Sequence, residues 1–496
     1  MINYYESSRN AHEKMCSSEA ILKGLSSDGG LYVLRDFDKH TFDIELLPSL
    51  SYMEIALSVM SLFFPDFDSQ QIEASILEAY SLNFSDPAIT PLKKVGNNFV
   101  LELFHGPTQA FKDIALSILP SLMNHALEIQ QFQKDIMILT ATSGDTGKAA
   151  LEGFKNKERM NIIVFFPNEG VSKVQELQMI TQEGKNVHVC AINGNFDDAQ
   201  SIVKELFLDE DLKTIGDKFS YQLSSANSVN IGRLIPQVIY YFDAYKQLLN
   251  TNEITMHEKV NFIVPTGNFG NILAGYIAKK LGLPINKLVS ASNANNVLHD
   301  FISTGVYDTR RPFIKTSSPS MDILISSNLE RLLYYASGQN NNYVKECMDS
   351  LKNKQVFQVS EEIHQEIQKD FLSGYALDDE VSDTIATVYK EEKYLLDPHT
   401  AVAWKVMSDL KLSDHKNIVI ATASPYKFPG TTGKALGIDI QSEDDFVMMD
   451  AIHSLTQIPI PEALVELKHK KILHDTKIDT ECMKSYVISK VGQGND

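Results

Sequence analysis

From residue 97 onward the chain alternates short continuous apolar runs with segments whose apolar residues recur at helical spacing. The runs at 99–104, 136–141, 162–166, 187–192, 260–264, 288–292 and 418–421 predict strands, and the stretches 147–154, 172–182, 197–207, 231–249 and 270–281 predict helices. Short apolar strands separated by helices imply parallel sheet buried on both faces, so the expected class is α/β with βαβ connections. Residues 1–95 read differently: helical patterns at 18–24, 52–57 and 70–80, with a turn and short strand at 27–33, make a mostly helical edge region. The charged, helical stretch 329–392 reads as an insertion without chemistry of its own. The chain is therefore expected to divide into 1–95, an α/β unit 96–250, and a second α/β unit 251–496 that carries the insertion.

Sheets of this kind gather ligands where strand ends meet helix starts. The stretch His105-Gly-Pro-Thr-Gln-Ala-Phe-Lys-Asp113 sits at such a junction, with Asp113 near a helix start, where a carboxylate is favoured. A partly desolvated lysine held between Phe111 and Asp113 has a lowered pKa and forms a Schiff base with an aldehyde; taken alone, Lys112 also fits the first turn of a surface helix. Thr140-Ala-Thr-Ser-Gly-Asp-Thr-Gly147 brings hydroxyls and backbone N–H groups to a helix N-terminus, which suits a carboxylate or phosphate or a plain capping turn; it lacks the Walker A spacing. In Pro265-Thr-Gly-Asn-Phe-Gly-Asn271, Gly267 and Gly270 allow a tight turn that exposes N–H groups, sized for a single phosphate; the spacing fails the dinucleotide fingerprint. Thr422, at a strand's carboxyl end, fits either a contact to a ring nitrogen in the same cleft or a strand-end turn. Asp397-Pro-His-Thr-Ala401 reads as a turn and cap with a structural His399, and Ser7, Ser8 and Arg9 as either a phosphate contact or a solvated terminus.

Composition narrows the partners. The chain has 496 residues, 43% hydrophobic and 22% charged, which is enough for two or three soluble domains. A formal net charge of -19 argues against nucleic acid and against an anionic membrane, while a local positive pocket for a small anionic substrate remains open. Four scattered cysteines without a paired spacing fit a reducing compartment with neither disulfide framework nor zinc site. No basic-then-apolar leader and no membrane-length apolar run is present in the sequence, so a cytoplasmic location is expected.

An aldehyde-reactive lysine, a single-phosphate loop, a carboxylate loop and a strand-end hydroxyl together suit a pyridoxal phosphate enzyme acting on an amino acid. On these stretches, together with Ser27-Asp-Gly-Gly-Leu-Tyr-Val33, Phe196-Asp-Asp-Ala-Gln200 and Asn227-Ser-Val-Asn-Ile-Gly-Arg233, the chain resembles the threonine synthases, in the tryptophan synthase β-like group of fold type II. The resemblance implies two parallel-sheet α/β domains and roles by residue. Lys112 would carry pyridoxal 5'-phosphate, Gly267, Asn268, Phe269, Gly270 and Asn271 would cradle its phosphate, and Thr422 would face its ring nitrogen. Ser143, Gly144, Asp145, Thr146 and Gly147 would take the substrate carboxylate, and Asn227, Asn230 and Arg233 the substrate phosphate. The implied reaction converts O-phospho-L-homoserine and water to L-threonine and phosphate, with no metal. Elimination to 2-oxobutyrate, and a non-catalytic binding protein of the same fold, are the alternatives. The oligomeric state, monomer or homodimer, is not legible.

Overall fold

A computed structural model describes residues 4–142, 144–169, 171–439 and 444–491. Two parallel sheets dominate, as the apolar runs predict. One has six strands in the order Phe371–Tyr375, Ile285–Ser292, Val260–Pro265, Lys416–Ala421, Asn98–Glu102 and Leu92–Val95, all parallel except the last, which pairs antiparallel with its neighbour. The other has five parallel strands in the order Lys477–Asp479, Val187–Asn193, Met160–Pro167, Asp135–Ala141 and Tyr221–Ser225. Every residue of Met160–Pro167 and of Val260–Pro265 is buried, the mark of strands covered on both faces.

Sheet membership departs from chain order. The strand Asn98–Glu102, expected to begin the 96–250 unit, instead pairs with Lys416–Ala421, with Phe99 opposite Ile418 and Glu102 opposite Ala421. Lys477–Asp479 returns to the other sheet beside Val187–Asn193. The stretch 329–392 is not wholly helical either. Its segment Phe371–Tyr375 forms an edge strand of the six-stranded sheet, and Val356–Gln358 pairs with Val306–Asp308. The helix expected over 231–249 is broken into Ile231–Leu234, a tighter turn Ile235–Val238 and Ile239–Asn250, because Pro236 has no N–H to continue the α-helical ladder.

The N-terminal region adds a three-stranded antiparallel sheet to its helices Ser17–Lys23, Tyr52–Phe63 and Ser69–Tyr80. Arg9 lies in neither of its two expected settings: its guanidinium forks onto Glu330 at 2.8 and 2.7 Å. Ser8 Oγ donates to the same carboxylate, and Ser7 Oγ donates to Asp28 at 2.9 Å. Next to Glu330, the fully buried Arg331 donates to the carbonyls of Tyr32 at 2.9 Å and Val229 at 2.7 Å. Such buried charged donors are tolerated because each finds strong acceptors.

Helix-on-helix packing beneath Lys112 is close. The helix Lys112–Leu116 meets the helix Asp145–Phe154 at Gly153, where an added Cβ would stand 2.1 Å from the Leu116 carbonyl oxygen. Backbone cannot swing aside as a side chain can. Gly153→Ala is expected to lower unfolding free energy by about 1–3 kcal/mol, measured by urea denaturation; an unchanged midpoint would refute this packing.

Candidate active site

The loops at the carboxyl ends of the parallel strands converge on one cavity, whose wall includes Lys112, Thr142, Thr146, Asn227, Arg233, Gly267, Asn268, Gly270, Asn271 and Thr422. The turn that delivers Lys112 is built around Asp113. Asp113 accepts Thr108 N–H at 2.8 Å and Thr108 Oγ at 2.6 Å, and a side chain at Gly106 would stand 2.4 Å from the Asp113 Cβ. Burial pushes the Asp113 carboxyl up to about 6, with the Thr108 bonds pulling the other way. The turn is stitched to the end of the strand Lys416–Ala421: Phe111 N–H donates to Thr422 O at 2.8 Å and Ser424 N–H to Gln109 O at 3.1 Å. These bonds put Lys112 and Thr422 on one wall.

Burial drives the Lys112 amine down to about 8. Asp145 opposes the shift, while Arg233 and Lys427 reinforce it. Since the ordinary value is 10.5, the folded chain favours the neutral amine: the cost of burying its charge is full below about pH 8 and fades as pH rises from there towards 10.5.

Carbonyls of the loop 265–271 are engaged by side chains and backbone of neighbouring segments. Gly267 O accepts Ser326 Oγ at 2.7 Å, and Asn268 O accepts both the N–H and the Nδ2 of Asn328 at 3.1 Å. Phe269 is left-handed at φ 62° and fully buried against Phe371, so its contribution is backbone shape. Asn271 ties back to Pro265 O at 2.9 Å and opens the helix Gly270–Lys280, whose first N–H groups have no intrahelical acceptor. A Cβ on Gly270 would meet Asn328 Nδ2 at 3.5 Å, an ordinary contact distance.

The loop 142–147 is both cap and wall. Thr142 Oγ accepts the N–H groups of Gly144 at 3.0 Å and Gly147 at 2.9 Å. Gly144 at φ 139° is confined to glycine, and a Cβ on Gly147 would stand 2.4 Å from Thr142 Cγ2. Of the expected carboxylate residues Thr146 faces the cavity, and Ser143 lies outside the described residues. Asp145 turns inward to Lys427 Nζ at 2.6 Å, Gln175 Nε2 at 2.9 Å and Ser320 Oγ at 3.3 Å. Burial would raise its carboxyl, but the Lys427 and Lys112 cations and these bonds outweigh that and hold it well below the usual range. Asp145 is thus consumed by protein partners. Asn230 is too: it is fully buried, its Nδ2 bonded to Ile21 O and Ser225 O at 3.0 Å and its Oδ1 to Gly232 N–H at 2.9 Å, away from the cavity wall.

Arg233 and Asn227 behave otherwise. Arg233 donates from Nη1 to Ala226 O at 2.9 Å, but its buried Nε has no partner among the described residues; Asn227 Oδ1 likewise has none. Burial alone pushes the Arg233 guanidinium down to about 10. Further wall residues went unassigned in the sequence. Gln200, Val203, Lys204 and Phe207 follow the i, i+3, i+4, i+7 spacing of one helix face, a detectable signal. Ser320 comes from the polar loop 316–322, which drew no assignment, and His399 from a stretch read as a turn and cap. His399 Nε2 accepts Ser320 N–H at 3.1 Å and its Nδ1 faces Asp397 Oδ1 at 2.9 Å, so the cap reading holds while the ring also lines the cavity.

Residues 4–80 match the family "Threonine synthase N terminus" and residues 87–422 the family "Pyridoxal-phosphate dependent enzyme". The threonine synthase of Pseudomonas aeruginosa is 40% identical over 436 residues, covering 87% of this chain and 90% of that protein. The chain belongs to the threonine synthase family. The crystal structure of pyridoxal phosphate-bound threonine synthase from Brucella melitensis superposes with a TM-score of 0.86 at 38% identity, covering 99% of this chain and all of that one. Human threonine synthase-like 1 is 37% identical over 487 residues, which cover 95% of this chain but 65% of that protein; the chain spans about two thirds of its length.

The family's cofactor, pyridoxal phosphate, fits the donor set: an amine of lowered basicity for its aldehyde, a cavity-lining loop at a helix N-terminus for its phosphate, and a hydroxyl on the same wall. Incubated without cofactor and then with pyridoxal phosphate at graded pH, followed by borohydride, the chain is expected to gain a pyridoxyl group on Lys112 with a midpoint near pH 8. A midpoint near 10.5, the ordinary amine value, would contradict the partly buried setting of Lys112.

Proposed function

We propose that the chain is a threonine synthase, converting O-phospho-L-homoserine and water to L-threonine and phosphate with pyridoxal phosphate on Lys112. The reading rests above all on Arg233, a buried cation with an unpartnered Nε on the wall shared with Lys112 and the loop 267–271. A substrate with an amine, a carboxylate and a distal phosphate ester suits this spread of groups.

Bound there, pyridoxal phosphate supplies an electron sink for negative charge at the substrate carbons, a mild one where a neutral hydroxyl such as Thr422 faces its ring nitrogen. Gly267, Asn268, Phe269, Gly270 and Asn271 hold the cofactor phosphate through backbone N–H groups and the helix N-terminus. Ser143, Thr146 and the opening of the helix Asp145–Phe154 receive the substrate carboxylate, with Gly144 and Gly147 shaping the turn. Arg233 and Asn227 bind and orient the substrate phosphate, which leaves from Cγ, and Asn230 acts through the turn that carries Arg233. Lys112 Nζ, its basicity lowered by burial, accepts the α-proton. The hydroxyl of threonine comes from water at Cβ, so bulk water must be kept out until phosphate has departed. The four unpaired cysteines support a cytoplasmic setting.

Likeness to threonine synthase-like 1 supports one second reading, in which phosphate leaves the same substrate and 2-oxobutyrate is released in place of threonine. Incubation with pyridoxal phosphate and O-phosphohomoserine, with identification of the product, separates the two. Threonine is expected, and Lys112→Ala is expected to abolish its formation. Arg233→Met is expected to raise KM for O-phosphohomoserine by about 10- to 100-fold, the loss of a charge-assisted bond. Release of neither product would remove the proposal.

A further inference from the structure

Lys427 has no part in the cavity wall, yet it is fully buried and makes two specific contacts: Asp145 Oδ1 at 2.6 Å and Thr108 O at 2.9 Å. It thereby joins the turn that delivers Lys112 to the helix that opens at Asp145. A buried ammonium is costly unless its charge is answered, and Asp145 answers it. The reverse dependence matters more. Asp145 is buried and ionised, and the cations that act on it are Lys427 and Lys112.

The charged and titratable groups around Lys112 are Asp145 from the helix Asp145–Phe154, Arg233 from Ile231–Leu234 and Lys427 from Pro425–Lys427. Lys204 and His399 stand on the same cavity wall, and the neighbouring Asp113 is turned to Thr108. Asp145 is therefore the anion that favours a charged Lys112, and its oxygens are aimed at Lys427, Gln175 and Ser320.

We propose that Lys427 is a positioning residue: by occupying the Asp145 carboxylate it keeps that anion from pairing with Lys112, and so leaves the Lys112 amine free to take up an aldehyde. The inference rests on the reading of Lys112 as the covalent anchor. In that uptake the Nζ lone pair attacks the aldehyde carbon, the carbon–oxygen double bond gives way to carbon–nitrogen, and the oxygen leaves as water with the two protons lost by nitrogen. An ammonium has no lone pair to begin it.

The test is the pH midpoint of borohydride-trapped pyridoxyl incorporation into the cofactor-free full chain, using pyridoxal phosphate as probe. Lys427→Met leaves Asp145 to Lys112 and should move the midpoint up by about one pH unit; Asp145→Asn leaves the Lys427 cation and should move it down by a similar amount. The double variant should return between them, and Lys427→Arg should stay near wild type. A role confined to holding the fold together predicts no such opposite signs. Should Lys427→Met not fold, Lys427→Gln, which removes the charge and keeps a polar side chain beside Asp145, takes its place with the same expected rise, and in the Asp145→Asn background removing Lys427 is expected to move the midpoint less than it does with Asp145 present; an equal shift in both backgrounds also overturns the proposal. Midpoints that stay fixed or shift in one common direction overturn the proposal, whereas a wild-type chain that takes no pyridoxyl group on Lys112 overturns the anchor reading itself.

Discussion

The hydrogen bonds between the turn before Lys112 and the end of the strand Lys416–Ala421 set the geometry on which the site depends. Leu103 N–H donates to Ala421 O at 3.0 Å, Phe111 N–H to Thr422 O at 2.8 Å, and Ser424 N–H to Gln109 O at 3.1 Å. Backbone bonds between two strand ends leave little rotational freedom, so the side chain that follows has one place to go. The left-handed Gln109, at φ 62°, and the packed Asp113 inside the turn complete the constraint. A lysine on a free surface helix would have kept its ordinary basicity. This one is recessed among cations, and its chemistry follows from that placement.

Charge is distributed against the grain of the whole molecule. The chain carries a formal net charge of -19, yet Lys112, Arg233 and Lys427 meet near one cavity with Asp145 as the anion set among them. Low-polarity walls keep the field of such a cluster from being screened by solvent, so an anionic ligand meets a local potential opposite to that of the surface. Asp145 serves this arrangement by being held inward, which explains how a carboxylate can sit in a loop suited to anions without repelling them.

Much of this was legible in advance because local rules bear on it. Continuous apolar runs separated by helices made the parallel sheets readable, and glycines beside a strand end made the loop 265–271 readable. Lys112 stood out through its position between Phe111 and Asp113. What escaped reading depends on long-range pairing. Nothing in 98–102 says that its partner is 416–421, and the strand Phe371–Tyr375 hides in a charged, helical stretch because an edge strand need not be apolar throughout. Asp145 and Asn230 were assigned to ligand by their neighbours in sequence, but Asp145 is taken up by groups from distant segments, and Asn230 by Ile21 together with its own turn. Lys427 stood in plain view and gave no sign, since burial of a lysine is a property of what folds over it.

The pairing of Phe99 with Ile418 also bears on how the polypeptide becomes a protein. During synthesis the strand Asn98–Glu102 emerges long before the neighbour that will seat it, and the Met160–Pro167 sheet waits in the same way for Lys477–Asp479 at its edge. Contacts so distant in sequence carry a heavy loop-closure entropy and slow the search for the native state. The cavity therefore stays incomplete on the ribosome until the strand Lys416–Ala421 and Thr422 emerge to close it.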